Sequence, residues 1–330
     1  MSKLKLSLAC WNYDRTRALM DGTVQPEGID LNYMNLPVEE TFFRMLRHHE
    51  FDVAELSLSS YLISFFKPDC PFVAIPVFPS CVFRHSGIFV NRDAGIEQPS
   101  DLVGKRVGTP EYQMTAAVWI RGILAEHHGV PVESVKYFTG GAEQPGRIEK
   151  VKLQLPPSIQ VAPIGPEQTL SKMLEDGEID ALYTARTPST FKGGQGKVRR
   201  LFQDYGDVEK AYYAKTGIFP IMHVIVIKRD IYEKNRWVAQ SLYKAFAASL
   251  RKCYEDLREN VVLKTTLPWA NAHYDETRAR MGDDFWPQGL ANTHQTLTTL
   301  LNYSCQQGLI PRTIDPASLF ASETLEAFKI

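Results

Sequence analysis

Arg84 and His85 stand side by side in Phe78-Pro-Ser-Cys-Val-Phe-Arg-His-Ser86, at the end of an apolar run. An arginine presents a planar fork that fits a carboxylate, with charge-assisted hydrogen bonds of about 1.5–3 kcal/mol each. A histidine, with an unperturbed pKa of about 6.5, can give or take a proton near neutrality. The pair reads as a carboxylate clamp beside a proton donor, or as a surface arginine beside a structural histidine. Arg186 follows the strand-like Ala181-Leu-Tyr-Thr184 and is a second candidate for gripping an anion. Arg15 is a third, although Asp14 and Arg17 beside it could make a plain surface cluster. His223 opens a strongly apolar strand, as a site histidine or a core one. Glu111 and Tyr112 precede a helix whose free N–H groups favour an anion, so Glu111 could be an acid, a base or a favourable charge at a helix start. Ser57 and Ser59 could bond ligand oxygens or cap a helix.

Other chemistries lack their residues. There is no His-x-His or His-Glu-x-x-His, so no built-in metal site is expected. No P-loop, Gly-x-Gly-x-x-Gly or Gly-x-Ser-x-Gly occurs. Neither Gly140-Gly141 nor the loop of Gly193, Gly194 and Gly196 leads from a strand into a helix. No resident cofactor is expected.

The elements that must position these residues alternate between strand and helix. Strands are predicted over 4–10, 29–36, 51–56, 72–78, 87–91, 105–109, 135–138, 179–184, 198–202 and 221–228, from short apolar runs between turn residues. Helices are predicted over 16–20, 38–48, 59–66, 112–128, 170–175 and 232–259, with a helical turn at 99–103 and a mainly helical stretch from Thr277 to the end. Pro110 introduces the helix at 112, and Gly177 closes the one at 170. The proline-rich segment 144–166 reads as an extended or hairpin excursion that could contact another subunit. Such alternation implies an α/β protein with mostly parallel sheets.

With 330 residues the chain suits two lobes rather than one core. Lys and Arg number 37 against 38 Asp and Glu, so no bulk field recruits nucleic acid or an anionic membrane. Lys3 and Lys5 interrupt any apolar leader, and no later run approaches a membrane span of about 20 residues. The five cysteines are scattered, which argues against a disulfide framework. A cytoplasmic protein with reduced thiols is expected, and a homo-oligomer.

The layout resembles the type II periplasmic-binding-protein fold. Phe51-Asp-Val-Ala-Glu55, Asp101-Leu-Val-Gly-Lys-Arg-Val-Gly108 and Gly177-Glu-Ile-Asp-Ala-Leu182 sit where that fold places them. The resemblance implies one lobe from 1–98 and 224–330, a second from 99–223, and a ligand cleft between them at strand ends. Within that group the sequence is similar to the 4,5-dihydroxyphthalate decarboxylase family. The likeness rests on Ala9-Cys-Trp-Asn-Tyr-Asp-Arg-Thr-Arg-Ala-Leu19, Gly28-Ile-Asp-Leu31, Phe51–Ser59, Arg84-His-Ser-Gly-Ile-Phe-Val90, Gly108-Thr-Pro-Glu-Tyr-Gln-Met-Thr-Ala116 and Trp286-Pro-Gln-Gly289. It implies a carboxy-lyase acting on a small aromatic dicarboxylate in phthalate degradation, with no cofactor strictly required. A divalent metal chelated by the substrate's own catechol oxygens stays compatible with it. Arg84 and Arg186 would grip carboxylates from opposite lobes, and His85 or His223, with Glu111 next, would donate the proton. Trp11, Tyr13 and Tyr112 would pack the ring. The competing expectation is a non-catalytic binding protein for a small organic anion.

Overall fold

The computed structural model describes residues 2–193 and 195–325. Its strands, in chain order, are β1 (Leu4–Ala9), β2 (Ile29–Met34), β3 (Val53–Ser57), β4 (Phe72–Ile75), β5 (Ile88–Asn91), β6 (Arg106–Thr109), β7 (Lys136–Thr139), β8 (Val161–Pro163), β9 (Ala181–Tyr183), β10 (Val198–Arg200) and β11 (His223–Lys228). The helices are α1 (Arg17–Met20), α2 (Val38–His48), α3 (Leu58–Phe65), α4 (Thr115–His128), α5 (Leu170–Asp176), α6 (Tyr205–Thr216), α7 (Arg229–Lys234), α8 (Trp237–Arg258), α9 (Ala270–Met281) and α10 (His294–Gln306). Gly194 of the glycine-rich loop and residues 326–330 of the helical C-terminal stretch lie outside the described residues.

The strands form two sheets, one for each lobe. The first runs β2-β1-β3-β11-β4 and the second β10-β5-β9-β6-β7-β8. Strands β1, β2 and β3 are parallel, as are β9, β6, β7 and β8. In the first sheet β11 runs against both of its neighbours, and in the second β5 does. Helices return the chain between the parallel strands. β3 shows why it is central: all five of its residues are buried. This is the two-lobed α/β architecture that the sequence predicts.

The reversal of β11 matters for the site. Its first residue, His223, pairs with the last residue of β3, Ser57. An antiparallel strand inserted beside a parallel one puts its start at the neighbour's carboxyl end. His223 therefore arrives at the edge where α/β folds collect ligands.

The chain changes sheets earlier than residue 98. Ile88–Asn91 pairs with β9 and β10, so the first crossing falls between β4 and β5. The sequence placed this strand in the first lobe because only non-local pairing distinguishes the two sheets. The return falls between β10 and β11. α10 also packs on α4 of the second lobe, not only on the first. At Gly122 of α4 the ring of Tyr303 is so near that an added Cβ would lie 2.0 Å from its Cδ2 atom. One apolar cluster accordingly runs through both lobes, joining Phe42, Leu56 and Tyr61 to Trp119, Ile123, Leu301 and Tyr303.

Other departures are local. α4 begins at Thr115, not at Tyr112, because Glu111–Met114 forms a turn that feeds the site. The predicted helix 232–259 is broken at Asn235 into α7 and α8, and α6 carries no signal that the sequence reading used. Within the proline-rich excursion, Val161–Pro163 adds an edge strand, where proline is tolerated. Among the described residues no helix is long and apolar enough to cross a membrane.

Candidate active site

Between the lobes lies a cavity of about 80 Å³ lined by Val38, Glu39, Phe42, Ser57, Ser60, Arg84, Glu111, Gln113, Met114, Thr115, Ala116, Arg147, Lys150, Ala185, Met222 and His223. The starts of α2, α3 and α4 converge on it. Their unsatisfied N–H groups and dipoles favour an anion.

His223 is fixed from behind. Its Nδ1 lies 2.6 Å from Oε1 of Glu55, a fully buried carboxylate in the middle of β3. The same oxygen accepts the Tyr13 hydroxyl at 2.6 Å, while Oε2 accepts the Trp11 backbone N–H at 3.1 Å. Burial alone would raise the Glu55 carboxyl. The hydrogen bond and charge of His223, with Tyr13 and Trp11, outweigh it and hold Glu55 below the usual carboxylate range. An ionised Glu55 accepts, so Nδ1 of His223 donates, and its Nε2 is left for a ligand. The ring of Phe42 meets the imidazole edge-on at 4.8 Å.

Arg84 is 9% exposed, yet among the described residues no carboxylate lies within ion-pair distance of it. Its Nε donates to the Met222 sulfur at 3.0 Å, one residue from His223. Burial lowers its pKa to about 10, with Glu209 opposing that from a distance. A buried guanidinium with its fork unoccupied is costly in the empty protein and ready for a carboxylate.

The same cavity holds a second cationic group. Glu111, 1% exposed, accepts Arg147 Nε at 2.9 Å and Nη2 at 2.6 Å, and also Lys150 Nζ. Gln113 Nε2 donates to its other oxygen at 2.8 Å. Burial would raise Glu111, but Lys150 and Arg147 overcome it and keep the carboxyl below its usual range. Glu111 is thus an ionised anchor, and the acid role expected for it does not fit these partners.

Several expected site residues lie elsewhere. His85 points away from the cavity, packed between Phe202 and Tyr212, with a buried Nδ1 that has no partner. Burial, with His128 and His127 nearby, pushes it down to about 4, so it stays neutral. Arg84 precedes the turn His85–Gly87, and of the two neighbours only Arg84 lines the cavity. Arg15 does not reach the cavity. It is stacked between the Tyr13 and Trp286 rings, 4.2 and 3.9 Å from their centroids, and its Nε donates to the Pro79 carbonyl at 2.6 Å. Trp11 and Tyr13 support Glu55 instead of packing a ring. Tyr112 is buried against Tyr137, its hydroxyl on the Gln307 carbonyl at 3.2 Å. Ser57 lines the cavity and bonds Thr115 at 2.9 Å; Ser59 is buried behind it, on Thr115 at 3.0 Å and the Gln113 carbonyl. Arg186 is exposed and gripped by Glu39 of the other lobe, at 2.8 to 3.0 Å.

Glu55, Arg147 and Lys150 were not singled out from the sequence. Glu55 had a signal, an acid inside the apolar run Val53-Ala-Glu-Leu56. Arg147 and Lys150 had none, since they lie in the proline-rich excursion and reach the cavity only by its fold. Among the described residues no cluster of three His, Cys, Asp or Glu could hold a metal ion.

Fold and site together define a two-lobed protein of the type II binding-protein class with an acid–base pair and unpaired positive charge in its cleft. Solved structures agree on the fold. The alkanesulfonate-binding protein SsuA from Xanthomonas axonopodis bound to MOPS matches with a TM-score of 0.52 at 11% identity, over 97% of this chain and 98% of that one. A putative periplasmic sulfonate-binding protein from Methylobacillus flagellatus matches at 0.51 with 12% identity, over 99% and 92%. No protein-family model matches. Sequence relatives are nearer. A curated 4,5-dihydroxyphthalate decarboxylase from Comamonas testosteroni is 41% identical over 330 residues, all of both chains. A second, from Pseudomonas putida, is 48% identical over 204 residues, 62% of this chain and 79% of that one. This chain belongs to the 4,5-dihydroxyphthalate decarboxylase family.

Proposed function

We propose that the chain is a carboxy-lyase converting 4,5-dihydroxyphthalate to 3,4-dihydroxybenzoate and carbon dioxide, in phthalate degradation. The observation that carries this reading is one wall of one cavity, where the unpaired Arg84 guanidinium adjoins an imidazole aimed by buried Glu55. The reaction asks for those two functions. Arg84 takes the carboxylate that the product keeps. The ring oxygen para to the departing carboxylate feeds an electron pair into the ring, and protonated His223 delivers a proton from Nε2 to the carbon bearing that carboxylate. Aromaticity is lost there. The carbon–carboxylate bond then breaks, its electron pair restores the ring, and carbon dioxide leaves. Glu55 holds the imidazole through Nδ1 so that Nε2 is aimed, and a positioned acid of this kind contributes about 10²–10⁴-fold. The cavity supplies alignment and excludes water.

The balance closes with one proton consumed and no electron acceptor, so the reading includes no resident cofactor. It also places the protein in the cytoplasm, a setting that suits five free cysteines, four of them buried. A non-catalytic binding role is not favoured, because the binding-protein neighbours share the fold alone while the full-length relative is a decarboxylase.

The test is carbon dioxide release from 4,5-dihydroxyphthalate by purified, metal-stripped protein. Release with formation of 3,4-dihydroxybenzoate is expected. Release only after a divalent ion is returned would assign a metal to the reaction, and tight binding without release under either condition would overturn the reading.

A further inference from the structure

Two sets of charged side chains line the cavity, and among the described residues no hydrogen bond or ion pair joins them. Arg84, with Met222 beside His223, serves the carboxylate and the proton. Glu111, Arg147 and Lys150 form the other set, which the reaction as described leaves without a task. Their charge does not cancel. One carboxylate holds two cations, and the start of α4 faces the same space through Met114, Thr115 and Ala116. Lys150 is 12% exposed and Arg147 32%, so the excess is partly stripped of water. Of the other acids nearby, Glu39 is occupied by Arg186, and Glu149, its carboxyl pushed up by burial to about 7, accepts the Tyr112 N–H.

The reaction contains one further anion. The ring hydroxyl para to the departing carboxylate must be ionised before its electron pair can enter the ring. We propose that Lys150 and Arg147, anchored by Glu111, seat that ionised hydroxyl, so that preference for a hydroxylated aromatic acid resides in the segment 147–150. This inference rests on the decarboxylase reading above. On binding, the O–H bond breaks, the proton passes to solvent and the electron pair stays on oxygen beside Lys150. It enters the ring as the carbon takes the proton of His223, and it returns to oxygen when carbon dioxide departs. Burial lowers the Lys150 ammonium and the repulsion of Arg147 adds to the shift, while Glu111 and Glu39 oppose it, as expected of a cation short of hydration. Preorganised charge in a water-poor site stabilises such an oxyanion by far more than water would.

The experiment uses 3,4-dihydroxybenzoate, whose ionised catechol absorbs at longer wavelength than the neutral form, and phthalate, which has no ring hydroxyl. Wild type should show the catecholate band on binding at neutral pH. Lys150→Gln should lose the band and about 10²-fold in kcat, with phthalate binding unchanged, while Lys150→Arg should keep the band. If Lys150→Gln does not fold, Arg147→Gln is read in the same way. A retained band with unchanged kcat would overturn the proposal. So would an equal loss of phthalate affinity, which would make Lys150 a carboxylate ligand. If wild type releases no carbon dioxide from 4,5-dihydroxyphthalate, the reaction itself is wrong, an outcome that turnover reports separately from the band.

Discussion

Glu55 Oε1 accepts two hydrogen bonds of 2.6 Å, one from Nδ1 of His223 and one from the Tyr13 hydroxyl, with no exposure to solvent. A buried carboxylate so placed fixes the tautomer and the orientation of the histidine. Glu55→Gln keeps the size and removes the charge. We expect kcat to fall about 10²–10³-fold while phthalate still binds, since Arg84 is untouched. Tyr13→Phe removes one of the two bonds and should cost less. Steady-state rates beside equilibrium binding decide this, and equal losses in both would move Glu55 from proton transfer to folding.

Arg84 sets function against stability. Its guanidinium is buried with no carboxylate beside it, so the empty protein carries the cost of a desolvated charge. Arg84→Met removes that cost together with the carboxylate seat. The melting temperature should hold or rise, while substrate and phthalate affinity fall by about two orders of magnitude, the worth of a bidentate charge-assisted contact. Arg84→Lys should restore little, because a point charge does not reproduce the fork. A clear fall in melting temperature for Arg84→Met would show that the side chain holds the lobes together instead.

Across the cleft mouth, Arg186 and Glu39 make a bidentate ion pair between the lobes. Both side chains are largely exposed, at 67% and 40%, so the pair adds at most about 1 kcal/mol to global stability. Its effect should fall on closure. Arg186→Ala is predicted to leave the melting temperature nearly unchanged, raise KM severalfold and alter kcat little. Added salt should mimic the substitution in wild type by screening an exposed pair. A kcat loss as large as that of Glu55→Gln would return Arg186 to direct contact with the substrate.

What the sequence disclosed follows the range of the interactions. The α2 boundaries and the Gly177 stop come from local spacing and turn chemistry, the two lobes from chain length and the likeness to the binding-protein fold, and they hold. The choice between His85 and His223 could not come from spacing. It depends on which of Arg84 and His85 the turn at 85–87 directs to the cavity and on a buried acid 168 residues from His223 in the chain. The signature Trp286-Pro-Gln-Gly289 was legible as a motif but not as a part. Trp286 covers the Arg15 guanidinium and donates to the Phe78 carbonyl at 3.0 Å, so it buttresses the wall behind the site. Lys150 was hidden for the opposite reason, lying in a segment with no periodicity at all.

That segment also holds a carboxyl whose protonation should couple to folding. Glu149, next to Lys150, accepts the Tyr112 N–H at 2.5 Å with one oxygen, while its other oxygen is buried without a partner. Burial pushes its carboxyl up to about 7; Tyr112, Arg121 and Lys150 oppose the shift and Glu111 adds to it. The sign follows from proton linkage. A carboxyl held protonated in the fold but ionised in the unfolded chain favours folding fully only below the usual carboxylate range. That contribution declines as pH rises and is gone once pH passes about 7. Glu149→Gln keeps a neutral, hydrogen-bonding side chain at every pH. Its melting temperature should match that of wild type near pH 4, exceed it increasingly up to about pH 7 and keep a constant lead from there to pH 8, by a stability of no more than about 3 kcal/mol. Melting curves of both proteins across that range test it. Parallel curves would mean that the Glu149 carboxyl ionises in the fold as it does in water, and that the segment 147–151 owes nothing to its protonation.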